Sequence, residues 1–192
     1  MGKLKKAIQN YTKAIELDNE FLEVFLARGS CYDALGEYEH ALDDFNRAIF
    51  ISDDSGDAWF AKADLEFSLG DLKRSIESYK KAVSIDPKKF DVWFKLGEAY
   101  FESGDYNQAD YCYDKCIKIN SKHGKSFYGK AKIFMINQKT KEGMIKIGQV
   151  IPGVIVSKTH TLHDGRANPV IGQVDPVLLV TDVIRGIHRK VR

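Results

Sequence analysis

His160-x2-His163-Asp164 is the one stretch of the chain in which side chains able to bind a metal or carry a proton crowd together. Two imidazoles and a carboxylate are the groups that hold a divalent cation or run general acid–base chemistry. The surrounding residues read as strand, where positions three apart point to opposite faces, so the two imidazoles converge only across a bend. No third and fourth ligand stands at a known zinc spacing, and both histidines are expected to be solvated loop residues. Cys31, Cys112 and Cys116 are the other candidates. Cys112 and Cys116 are four apart on a predicted helix, with no second pair and no nearby His, which leaves them as small buried residues. The chain has no nucleophile elbow, no P-loop and no Gly-rich dinucleotide motif. The expectation is a protein with no catalytic residues, no cofactor and no metal: not an enzyme.

What positions side chains in this sequence is a repeat. Between Asp91 and Asn120 stand Trp93-x2-Leu96-Gly97-x2-Tyr100, then Gly104, then Ala109-x3-Tyr113. Shifted by 34 residues, the same residue types return. Ala7, Ala41, Ser75, Ala109 and Gly143 form one column; Tyr11, Phe45, Tyr79, Tyr113 and Ile147 a second; Ala14, Ala48, Ala82 and Cys116 a third. Gly29, Ala63, Gly97 and Ala131 align, as do Phe25, Trp59, Trp93 and Phe127. The small residues mark places where helix backbones approach closely, and a larger side chain there would cost about 1–3 kcal/mol. The aromatics are knobs between neighbouring units. Gly36, Gly70 and Gly104 fall where a helix must stop in a left-handed cap, and Pro87 where a later helix cannot continue.

This pattern resembles the tetratricopeptide repeat, a helix–turn–helix unit, over about residues 1–147. The resemblance implies an all-α fold, a right-handed α-α superhelix, followed by a short β-rich or irregular tail. A half repeat occupies 1–21, with a second-type helix near 3–17 whose first-type partner is missing. A repeat helix cannot bury its face alone, so either the chain is a fragment of a longer array or that face packs elsewhere, for instance on a second copy. Complete repeats follow at 22–55, 56–89 and 90–123, with helices near 22–34, 38–51, 56–68, 72–84, 90–102 and 106–119. A degenerate repeat at 124–147 has Asn137-Gln138 at its turn. From 148 to 192 the composition changes: no aromatics, three of the four prolines, and Val/Ile runs that read as strands near 153–162 and 176–184 with an Asp164-Gly165 hairpin signal.

Composition narrows the function classes. The chain has 192 residues, 44% hydrophobic and 29% charged, with a net charge of +2. Near neutrality argues against a nucleic-acid binder. No apolar run is long enough to cross a bilayer. Met1-Gly2-Lys3-Leu4-Lys5-Lys6 leads into an amphipathic helix rather than a secretory leader, and Lys6 breaks the myristoylation motif. Neither a membrane nor a nucleic-acid partner is expected, and the location is expected to be cytoplasmic.

The resemblance further implies that the array curves and that the first helix of each unit lines the concave side. The groove positions would be Glu23, Leu26, Ser30 and Asp33; Asp57, Phe60, Asp64 and Phe67; Asp91, Phe94, Glu98 and Phe101; and Lys125, Tyr128, Lys132 and Met135. The expected function is a protein–protein interaction module that binds a basic or apolar peptide or protein segment. Phe60, Phe67, Phe94, Phe101 and Tyr128 would anchor it, and Asp57, Asp64, Asp91 and Glu98 would select its charge. The residues alone leave open that the Phe side chains are core and the carboxylates merely solvated. One subclass of the family grips a chaperone tail's carboxylate with Lys and Asn. Here the corresponding positions are Leu26, Ser30, Ala61, Asp91 and Lys95, and only Lys95 fits. The basic tail is expected either to dock in this chain's own groove or to pair with another chain. The alternative function is structural self-assembly through the N-terminal helix and the tail.

Overall fold

Gly36, Gly70 and Gly104 set the length of the first helix in three successive units. Their φ angles are 79°, 80° and 84°, a conformation that costs other residues about 1–2 kcal/mol. Each glycine N–H bonds back to the helix it ends, and the next residue's N–H reaches one carbonyl further: Glu37 to Tyr32, Asp71 to Glu66 and Asp105 to Tyr100. Asp71 and Asp105 then cap the following helix, their carboxylates accepting from the N–H of Arg74 and of Gln108 at 3.1 Å.

The computed structural model describes residues 2–150, with side-chain surroundings as far as Glu142. The helices are α1 (Gly2–Leu17), α2 (Leu22–Leu35), α3 (Tyr38–Ile51), α4 (Gly56–Ser68), α5 (Leu72–Ile85), α6 (Phe90–Glu102), α7 (Tyr106–Ile119) and α8 (Gly124–Val150). The strands expected near 153–162 and 176–184, the hairpin and His160-x2-His163-Asp164 lie outside the described residues.

The sequence-based turn at Asn137-Gln138 is not there: α8 runs unbroken through it. The repeat register gives the reason. Gln138 occupies the column of Gly36, Gly70 and Gly104, and Lys139 that of Glu37, Asp71 and Asp105. Neither residue favours a left-handed cap or caps a new helix, so the chain stays helical.

Antiparallel pairs form between α2 and α3, α4 and α5, and α6 and α7, and each second helix also packs on the first helix that follows it. The aligned columns fill these contacts: Ala41, Ser75, Ala109, Phe45, Tyr79, Tyr113, Ala48, Ala82 and Cys116 are all buried. Each fully buried aromatic contributes roughly 1.5–3 kcal/mol of burial free energy. The Tyr113 ring is held between two glycines. A Cβ on Gly97 would lie 2.7 Å from Cε1, and one on Gly129, in the next unit, 2.5 Å from Cε2. On α1 the same columns, Ala7, Tyr11 and Ala14, are only half-buried.

First helices of successive units touch one another directly, α2 with α4 and α4 with α6, while the second helices show no comparable contact. Rods that sit closer along one edge than the other bend the stack toward that edge. The first helices therefore line its inner side.

Candidate partner-binding groove

Three first helices bring one set of side chains together. Lys95 on α6 lies between two carboxylates, its Nζ 3.4 Å from Asp64 Oδ1 on α4 and 3.8 Å from Glu98 Oε2 on its own helix. The Tyr79 hydroxyl donates to the same Asp64 Oδ1 at 2.5 Å. Burial first, and the bond to Asp64 second, push the Tyr79 hydroxyl far above its ordinary pKa, so it remains a donor. The Lys95 ammonium also stands 5.9 Å from the centre of the Phe67 ring. One unit further on, Lys132 lies 4.1 Å from the Phe101 ring and 5.4 Å from Tyr128. Each such contact contributes about 0.5–1 kcal/mol at an exposed site.

Asp64, Phe67 and Glu98 thus gather around Lys95, and Phe101 and Tyr128 around Lys132. The row of carboxylates is not bare, however. Lys95 serves both Asp64 and Glu98, and Lys89 holds Asp57 from the loop before α6. Burial of the lysine works against its charge, but the hydrogen bond to Asp57 outweighs it, so the Lys89 pKa is raised. Asp91 is exposed. Phe60 is half-buried against the α4–α6 core, its ring 5.9 Å from Tyr79. Phe94 is 8% exposed, with Tyr113 at 6.0 Å and His123 at 4.7 Å between ring centres. It belongs to the core between α6, α7 and α8 and presents no anchor to a ligand. Tyr128 and Met135 are 68% and 57% exposed, while Leu26 is half-buried. The sequence reading overlooked Lys89 as an ion-pair partner, as well as Tyr79 and the screening role of Lys95. The Lys95–Glu98 pair, three apart on one helix, was its one local signal.

Cys116 does have a nearby histidine, contrary to the sequence reading. His123 Nδ1 lies 3.4 Å from Cys116 Sγ and 2.8 Å from Ser126 Oγ. Two ligands do not make a metal site, and among the described residues no group of three or more His, Cys, Asp or Glu side chains is placed to hold an ion. Burial pushes the Cys112 thiol up to about 12, with Asp105 adding to the effect, and burial also raises Cys116. Both thiols are therefore neutral near pH 7 and shielded. With a thiol-specific disulfide reagent at pH 8, the half-buried Cys31 is expected to react in the native protein, and Cys112 and Cys116 only after denaturation. Equal rates for all three would show that the α6–α7 core opens readily.

Stacked antiparallel helix pairs with an aromatic, charge-dense inner edge place this chain among the helical-repeat solenoids. Models of the tetratricopeptide repeat match residues 1–56 and 90–123, and a TPR repeat model matches 63–104. The chain belongs to the tetratricopeptide repeat family, and the described part is the right-handed α-α superhelix that the pattern implied. Among solved structures it is similar to MamA, with a TM-score of 0.61 at 22% identity over 76% of this chain and 92% of that one. It is also similar to YrrB, described as a TPR protein with an unusual peptide-binding site, with a TM-score of 0.62 at 20% identity over 80% of each chain. A search of curated proteins gave no significant match. No helix among the described residues is long and apolar enough to cross a membrane.

Proposed function

We propose that this chain is a non-enzymatic interaction module whose inner, first-helix surface binds a segment of a partner protein or a peptide. The observation that carries the reading is that half-exposed aromatics lie beneath lysine side chains: Phe67 under Lys95, and Phe101 and Tyr128 beside Lys132. Helix packing closes over only one side of the Phe67 and Phe101 rings. Flexible lysine stems cover them, and a ligand can move such stems aside. Aromatic side chains in a lane that a partner can dry out are the residues that dominate binding energy. The peptide-binding site described for YrrB supports the same use of a similar array.

The charge along the lane changes sign. Glu23, Asp33 and Asp91 are exposed acids, Asp64 and Glu98 share one lysine, and α8 contributes Lys125 and Lys132. The partner that fits is an apolar or aromatic segment, basic toward α2 and α4 and acidic toward α8. The basic fourth unit thus adds an acidic end to the basic or apolar partner expected from the sequence.

Peptides selected from a random library against the full chain test the proposal. Their affinity is expected to fall at least about tenfold, or 1.4 kcal/mol, in Phe67→Ser and in Lys132→Glu, with helicity unchanged. Selected peptides that bind both variants as tightly as the parent would overturn it.

A further inference from the structure

Lys95 is out of step with the repeat. Its column reads Ala27, Ala61, Lys95 and Gly129, so one unit places a long cation where the others keep a small residue. The groups around that cation do follow the repeat. Asp64 and Glu98 stand in one column of consecutive units, and Phe67 stands in the column of Phe101. The array thus builds a pocket with two carboxylates and an aromatic wall, and α6 supplies its own lysine to it. The lysine fills the pocket loosely. Its Nζ stands 3.4 Å from Asp64 Oδ1, 3.8 Å from Glu98 Oε2 and 5.9 Å from the centre of the Phe67 ring. A charge-assisted hydrogen bond spans about 2.7–2.9 Å, and neither contact is that short. The Asp64 and Glu98 side chains are 41% and 37% exposed. Among the described residues the only hydrogen bond to either carboxylate comes from the buried Tyr79, which donates to Asp64 Oδ1. Asp64 is therefore held from beneath, and its Oδ2 is left open to a ligand.

We propose, resting on the reading of the first-helix surface as a peptide groove, that this pocket recognises an arginine of the partner and that Lys95 is a built-in stand-in which the arginine displaces. A guanidinium suits the pocket in three ways. Its planar fork donates to two carboxylates at once, its flat face stacks on Phe67, and it gives up water more readily than an ammonium. The displaced Lys95 loses little, because partly exposed ion pairs are weak and screened by salt. Displacement also makes the pocket selective. An arginine replaces the cation it expels, whereas an apolar or acidic residue that moved Lys95 aside would leave Asp64 and Glu98 unpaired.

The probes are the peptides selected from a random library on the full chain. Each is measured beside two twins in which one arginine becomes lysine, or becomes citrulline, which keeps the shape without the charge. One arginine position is expected to lose at least about tenfold with citrulline and several-fold with lysine. Asp64→Asn keeps an acceptor for Tyr79, so helicity should be unchanged. It should weaken the arginine peptide about tenfold and leave the citrulline twin unaffected. Lys95→Ala restores the small residue of its column, and it should tighten the arginine peptide about threefold or more without tightening the citrulline twin. Selected peptides that lack arginine, lysine twins that bind as well as their parents, or an arginine preference that survives Asp64→Asn would each overturn the proposal. So would the absence of any gain in Lys95→Ala, which would make Lys95 a fixture of the site rather than a stand-in. Where such results come with peptides that still lose affinity in Phe67→Ser, the groove stands and the arginine pocket falls. Where no selected peptide responds to Phe67→Ser or Lys132→Glu, both fall.

Discussion

Arg28→Ala is expected to destabilise the N-terminal end of the array by about 3–5 kcal/mol, because it strands a buried carboxylate. Asp44 is 4% exposed, and the guanidinium meets both of its oxygens, Nε at 2.9 Å and Nη2 at 2.7 Å. Nη1 donates to Thr12 at 3.1 Å, so one side chain ties α1, α2 and α3 together. The hydrogen bond to Asp44 raises the Arg28 pKa, so the guanidinium stays charged. In a solenoid each unit contacts only its neighbours, so the loss should be local. Hydrogen exchange in Arg28→Ala should rise across residues 2–51 well before it rises in α6 and α7. The double variant Arg28→Met, Asp44→Leu should recover most of the stability, since a well-packed apolar pair of similar volume often matches a buried ion pair. A cost below about 1 kcal/mol for Arg28→Ala would show that Asp44 finds water or another partner.

Phe94→Ala should cost about 3–5 kcal/mol at the other end. The ring packs with Ala109, Tyr113, Cys116 and Ile133 and lies 4.7 Å from His123, so its loss leaves a cavity where α8 meets α7. Chemical denaturation should show a lower midpoint, and exchange should rise first in α8. Phe67→Ser, which removes a ring only half-buried against the core, should cost less. The contrast separates the two roles of phenylalanine along the first helices. If Phe94→Ala were nearly as stable as the parent yet lost the selected peptides, Phe94 would be the ligand anchor that its spacing suggested, and the buried arrangement would be wrong.

Several features were legible before any coordinates because they are periodic and local. A glycine every 34 residues at a left-handed cap, with small and aromatic columns between, places helix pairs without reference to anything distant. The same logic contained the answer at Gln138 and Lys139. The residues that make the turn are missing there, and the array's expected fold-back was an extrapolation of the period past its physical cause. Cys116 and His123 are only seven residues apart, across one helix end, and were within reach of the same local reading.

Charge partners and the fate of each ring were decided only in three dimensions. Lys89 meets Asp57 and Lys95 meets Asp64 across adjacent first helices, so a lane counted as acidic from one column of the sequence is partly neutralised by another. Phe60 and Phe94 occupy the same repeat position, yet one is half-buried and the other is in the core. His123 and Ile133 pack with Phe94, whereas the preceding unit has Lys89 and Ala99 in those columns. A backbone period records where helices must lie close, because that depends on the size of residues at fixed spacing. It does not record what closes over a given side chain, because that depends on the identity of residues contributed by the next unit.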